Sequence, residues 1–79
     1  EANERRVKIF SSSLKQVPFD EKAAEIFGTT KDYLISRGEM IGTMDLLIAS
    51  VALAQKAVLV THNSREFLRI PNLKCEDWF

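Results

Sequence analysis

The spacing of apolar residues divides the chain into alternating helices and strands. Val7, Phe10 and Leu14 recur at i, i+3 and i+7 with Arg5, Arg6 and Lys8 on other faces, a period that predicts a helix over residues 3–14. Gln16-Val17-Pro18-Phe19 reads as a short strand, which Pro18 confines to an edge or an end because it has no N–H to donate. Asp20 suits the N-cap of a second helix running to about Ser36. Ala23, Phe27, Thr30 and Leu34 form its stripe, with Ile26 and Tyr33 beside it. Gly28 inside this helix costs about 1 kcal/mol relative to Ala, and Gly38 suits its C-terminal cap. Thr43 then caps a third helix over residues 44–55. Leu46, Leu47, Ile48, Val51 and Leu53, with alanines between them, leave it hardly any polar face, so it is expected to be buried on most sides. A tight turn near Lys56 leads into Ala57-Val58-Leu59-Val60. Such an unbroken apolar run suits a strand covered on both faces, as in a parallel sheet. Asn63 opens a short helical turn to Leu68, Pro71 stops it, and residues 73–78 are expected to form a last, edge strand.

The resulting order (helix, strand, helix, helix, strand, turn, strand) is an α/β pattern. Seventy-nine residues allow one domain. A chain of this size buries only roughly 60–65% of its unfolded surface, and three short strands make a thin sheet for so many helices. Its apolar helix and strand need more cover than the chain supplies, so a partner, a dimer or a further N-terminal segment is expected. Eleven basic and eleven acidic residues cancel, so net charge argues neither for nor against nucleic acid. The single Cys75 excludes an internal disulfide framework and fits a reducing compartment. No signal peptide is visible, and the apolar stretch from Leu46 to Leu53 is too short to span a bilayer. A cytoplasmic protein with no membrane association is expected.

Three positions combine into candidate chemistry. Asp45 lies in the first turn of the apolar helix, where an acid ordinarily complements the helix dipole. Because that helix is apolar all round, its N-terminus is expected to enter the protein body, where a carboxylate needs a cation or metal partner. Asn63 and Glu66 have the spacing of a capping box, and the same two residues could also serve a site. His62 is either a ligand or a solvated bystander, while Cys75 and Trp78 read as packing. There is no Gly-rich loop for a nucleotide and no Ser/His/Asp order suggesting acyl transfer.

The segment Ile41-Gly42-Thr43-Met44-Asp45-Leu46-Leu47-Ile48-Ala49, followed by Val58-Leu59-Val60-Thr61-His62-Asn63-Ser64-Arg65-Glu66-Phe67, resembles the C-terminal part of PIN-domain ribonucleases of the VapC toxin type. The tail Ile70-Pro71-Asn72-Leu73-Lys74-Cys75-Glu76-Asp77-Trp78 is similar to the ending of the same family, and Val17-Pro18-Phe19-Asp20 matches more loosely. The resemblance implies an α/β/α sandwich with a short parallel sheet, so that residues 1–79 form a single, partial PIN domain. It also implies hydrolysis of RNA at a cluster of acids binding magnesium or manganese, with a small cognate antitoxin as partner and often a homodimer. Onto this chain it places metal-site acids at Asp45 and Glu66, with Asn63 beside them. Two further family acids, an Asp ending the first strand and a Glu on an early helix, have no match in residues 1–40. The chain by itself is therefore expected to show little magnesium-dependent RNase activity.

Two rival readings use the same residues. One is a non-catalytic PIN remnant that acts as a protein-binding or dimerisation module through exposed apolar surface. The other is an unrelated α/β module in which Asp45, Asn63 and Glu66 are helix caps and nothing more.

Overall fold

The computed structural model describes residues 8–10, 19–62 and 64–77. Their order is β1 (Lys8–Phe10), α1 (Glu21–Ser36), α2 (Thr43–Ala54), β2 (Val58–Val60), α3 (Ser64–Phe67) and β3 (Lys74–Glu76). The strands form one parallel sheet in the order β1-β2-β3. Lys8, Val58 and Lys74 stand side by side at one end, and Phe10, Val60 and Glu76 at the other. The central position goes to the most apolar strand, and all three of its residues are buried. This is the α/β class with a short parallel sheet that the pattern predicts.

Side chains alternate across the sheet. Ile9 and Leu59 point into the main core, with Cys75 packed against it, and there they meet Leu34 of α1 and Leu46, Ile48, Ala49, Val51 and Ala52 of α2. Val58 and Val60 point the other way. They are buried outside that cluster, among Lys8, Phe10, Lys74 and Glu76, and the Lys8 ammonium reaches across to the Glu76 carboxylate at 3.7 Å. The central strand is thus covered on both faces, as its unbroken apolar run requires.

Helix α1 starts where Asp20 accepts a hydrogen bond from the Ala23 N–H at 2.9 Å. Phe19, just before the cap, meets Phe27 edge-on with centroids 6.1 Å apart. Helix α2 is buried at Leu46, Ile48, Ala49, Ser50, Val51 and Ala52, positions that go right round its axis. The Ser50 hydroxyl is satisfied inside the core by the Leu46 carbonyl at 2.7 Å.

Both long helices end in the same hydrogen-bonded turn. Gly38 N–H donates to Ile35 and Glu39 N–H to Leu34; Lys56 N–H donates to Leu53 and Ala57 N–H to Ala52. Each is the paired 5→2 and 6→1 pattern that needs a left-handed residue, supplied by Gly38 (φ 66°) in one and Lys56 (φ 54°) in the other.

The structure corrects three details of the sequence reading. Residues 8–10 are strand, although the apolar period over 3–14 predicts helix. Ile9 is buried and Lys8 exposed in strand alternation, and the apolar β2 takes β1 as its second neighbour. Phe19 lies outside any strand, and residues 16–18 fall outside the described residues. The N-cap of α2 is Gly42, with no side-chain cap bond, and Thr43 is the first helical residue. Glycine is itself an accepted N-cap.

The two helix ends predict opposite responses to the same chemistry. Gly38→Ala places a Cβ in a left-handed conformation with open space around it, so it should lower stability by about 1 kcal/mol. Lys56→Gly should raise stability by up to about 1 kcal/mol. Paired denaturant melts read both signs, and a Lys56→Gly variant less stable than the parent contradicts the shared-turn account. A second expectation concerns the thiol. Burial of Cys75 pushes its pKa above the usual thiol value, because desolvation penalises the thiolate. The unfolded thiol then ionises first as pH rises, so folded stability should fall through the ordinary thiol range near pH 8.5 and above. Cys75→Ala should flatten that alkaline decline, as followed by melts from pH 7 to 10.

Candidate metal centre at the carboxyl edge of the sheet

Parallel strands share one carboxyl edge, and here it is marked by Phe10, Val60 and Glu76. Helix α2 has twelve residues and spans about 18 Å. It joins β2 through the tight turn at Lys56, so it runs back against the strand. The start of α2 and the end of β2 therefore lie at the same edge. In open α/β sheets this is the edge where ligands bind.

Asp45 stands in the first turn of α2 and is half-buried. Its side chain folds back over the helix start: a Cβ added at Gly42 would lie 3.7 Å from Asp45 Oδ2. Glu66 is half-buried on α3, the short helix that follows the end of β2. Among the described residues neither carboxylate has a hydrogen-bond or ion-pair partner. Thr61 is buried at the end of β2 and donates its N–H to the Glu76 carbonyl at 3.0 Å. His62 is exposed. Asn63 lies outside the described residues, and the expected capping box with it.

The two acid-bearing segments are tied together by a residue that sequence reasoning passed over. Arg69 Nη1 donates to the carbonyls of Glu39 and Met40 at 3.4 Å each. Those carbonyls belong to the connection that enters α2. The Arg69 backbone N–H donates to the Glu66 carbonyl at 3.2 Å. Nothing in the sequence marks Arg69, since an arginine in a polar turn is ordinarily solvated.

The donor chemistry suits a hard cation, which prefers carboxylate and carbonyl oxygen. Two carboxylates are short of a full coordination shell, and no group of three or more His, Cys, Asp or Glu side chains that could hold a metal ion occurs among the described residues. An open groove of about 480 Å³ lies elsewhere, lined by Ile26, Thr30, Tyr33, Leu53 and Pro71 among others. Leu53 is at the far end of α2 and Pro71 precedes β3, so this groove is at the amino edge and contains neither acid. Two half-buried carboxylates with no partner among the described residues are a stronger chemical signal than an open groove.

Comparison with known proteins identifies the family. The PIN domain family matches residues 1–73. Ribonuclease VapC2 of Rickettsia felis is 45% identical over 78 residues, covering 99% of this chain and 58% of that protein. The tRNA(fMet)-specific endonuclease VapC of Salmonella typhimurium is 38% identical, covering 99% of this chain and 59% of that protein. The chain thus spans somewhat under three fifths of the length of these relatives. Among solved structures, VapBC2 from Rickettsia felis bound to a promoter DNA fragment superposes with a TM-score of 0.73 at 48% identity, over 77% of this chain and 46% of that one. DNA-bound VapBC from Salmonella typhimurium superposes with a TM-score of 0.74 at 39% identity, over 77% and 46% respectively. With the family matched over residues 1–73 and a short parallel sheet that superposes on these structures, the chain belongs to the PIN domain family.

Proposed function

We propose that the protein is a metal-dependent endoribonuclease toxin of a toxin–antitoxin pair, hydrolysing RNA phosphodiester bonds in the cytoplasm. The observation that carries this reading is the pair of half-buried carboxylates, Asp45 and Glu66, without a partner among the described residues, on two segments that Arg69 joins. Asp45 and Glu66, with Asn63, would supply oxygen ligands to magnesium or manganese, and the remaining positions would be filled by water or by groups beyond these residues. Such an ion, when bound, activates water and neutralises charge on the phosphate. The chain's own contribution is positional. The apolar body of α2 holds Asp45 at the rim, and the Phe67 and Ile70 anchors, both buried, hold the turn that carries Glu66. A cognate antitoxin as partner is supported by the VapBC complexes among the similar structures. An RNA substrate is supported by relatives named as a ribonuclease and as a tRNA-specific endonuclease, and homodimerisation by the family resemblance.

One observation favours a second reading, a non-catalytic PIN remnant that binds another chain. The described residues hold no three-ligand cluster, while Met44 and Leu68 are 59% and 77% exposed.

A single assay separates the two. Full-length protein should cleave RNA only with magnesium or manganese present. Asp45→Asn and Glu66→Gln should each lower kcat by about 100-fold or more, since the ion supplies several kcal/mol of transition-state stabilisation. Residues 1–79 alone should show little cleavage. Activity that survives chelator, or an Asp45→Asn enzyme as fast as wild type, would sink the nuclease assignment.

A further inference from the structure

Arg69 occupies an unusual position for an exposed arginine. Its guanidinium donates from one nitrogen to two successive carbonyls, Glu39 and Met40, across 30 and 29 residues of chain. Its backbone N–H closes the turn on the Glu66 carbonyl. Its neighbours Phe67 and Ile70 are both buried, which leaves the side chain of Arg69 to run outward along the 39–42 connection. That connection is held at the same end by the Glu39 N–H on the Leu34 carbonyl and is anchored further along by buried Ile41. It ends at Gly42, whose carbonyl takes the first backbone bond of α2 from Leu46 and over whose Cα the Asp45 carboxylate folds. One residue thus touches the segment that aims Asp45 and the segment that carries Glu66.

The geometry points to Arg69 as a positioning residue for the acidic site: it sets the spacing of Asp45 and Glu66 by clamping the entry of α2 to the turn after α3. This rests on the reading of those two acids as metal ligands. The role calls for arginine, because two N–H groups on one planar nitrogen can serve two adjacent carbonyls at once, whereas a lysine ammonium is a point donor on a flexible stem. Arg69 touches no ligand in this account and acts through the two carboxylates. Outer groups that orient ligands are worth about 10- to 100-fold in metal affinity.

The test uses full-length protein and Mn²⁺ alone as probe, titrated by calorimetry, beside RNase kinetics and thermal melts. Arg69→Gln should weaken Mn²⁺ binding by about tenfold or more and lower kcat with KM unchanged. Arg69→Lys should fall between Arg69→Gln and wild type. Amide exchange at Met40 and Ile41 should quicken in both. Asp45→Asn is the reference that loses Mn²⁺ binding. If Asp45→Asn loses the ion while Arg69→Gln binds it like wild type, the positioning role is overturned and the metal site stands. If Asp45→Asn binds Mn²⁺ like wild type, the site reading itself fails and takes the positioning role with it. A raised KM with unchanged Mn²⁺ affinity marks Arg69 as a contact for RNA phosphate, and that also overturns the role. Should Arg69→Gln fail to fold, Arg69→Lys decides: intermediate Mn²⁺ affinity supports the clamp, and wild-type affinity overturns it.

Discussion

Parallel pairing of β2 with both of its neighbours is the constraint on which the rest of the structure depends. Parallel strands cannot be joined by a tight turn, so each connection must travel back along the sheet. The return from β1 to β2 includes α1 and α2, and the return from β2 to β3 includes α3. Every strand then finishes at the same edge, and the helix preceding β2 has to begin there. Crossover geometry thus brings the start of α2, with Asp45 in its first turn, to the edge where β2 ends and the segment bearing α3 begins.

Burial makes that rim chemically distinctive. Helix α2 is enclosed from Leu46 to Ala52, but its first turn, expected from the sequence to enter the protein body, is open to water at Thr43 and Met44 and leaves Asp45 half-buried, because the apolar run begins only at Leu46. A carboxylate there benefits from the helix dipole but loses part of its hydration, and a cation is the usual remedy. Glu66 stands on a helix too short to be stable by itself, held by Phe67 and Ile70 in the core. The acids owe their placement to apolar anchors, and the polar contact that connects them, through Arg69, lies outside the core.

Much of this was legible in the sequence because the signals were local. Asp20 and Gly38 bracket α1, the all-apolar stripe predicts a buried α2, and Val58-Leu59-Val60 declares a doubly covered strand. Asp45 and Glu66 could be singled out because their ordered spacing matches the family. Residues 8–10 misled because Val7, Phe10 and Leu14 fit a helical period. What decides their state is a distant event, the demand of β2 for a second neighbour, which no local window contains. Gly42 displaced Thr43 as N-cap for a similar reason, since entry to α2 is set by Ile41 in the core and by Arg69 rather than by a capping hydroxyl. Arg69 itself was invisible, because its partners are backbone carbonyls about thirty residues away and carry no side-chain signature.

The small residues of the interhelical core have a mechanical consequence. Ala23 of α1 and Ala49 and Ala52 of α2 are fully buried, and Ser50 folds its hydroxyl back onto its own helix. Side chains of this size allow neighbouring elements to approach closely. Helix α2 is held along this buried seat, with Asp45 in its exposed first turn. Bulk added anywhere along that seat would tilt the helix, and the displacement would be largest at the end furthest from the contact. The position of the helix tip is in this sense a property of the alanines, residues that carry no chemistry of their own.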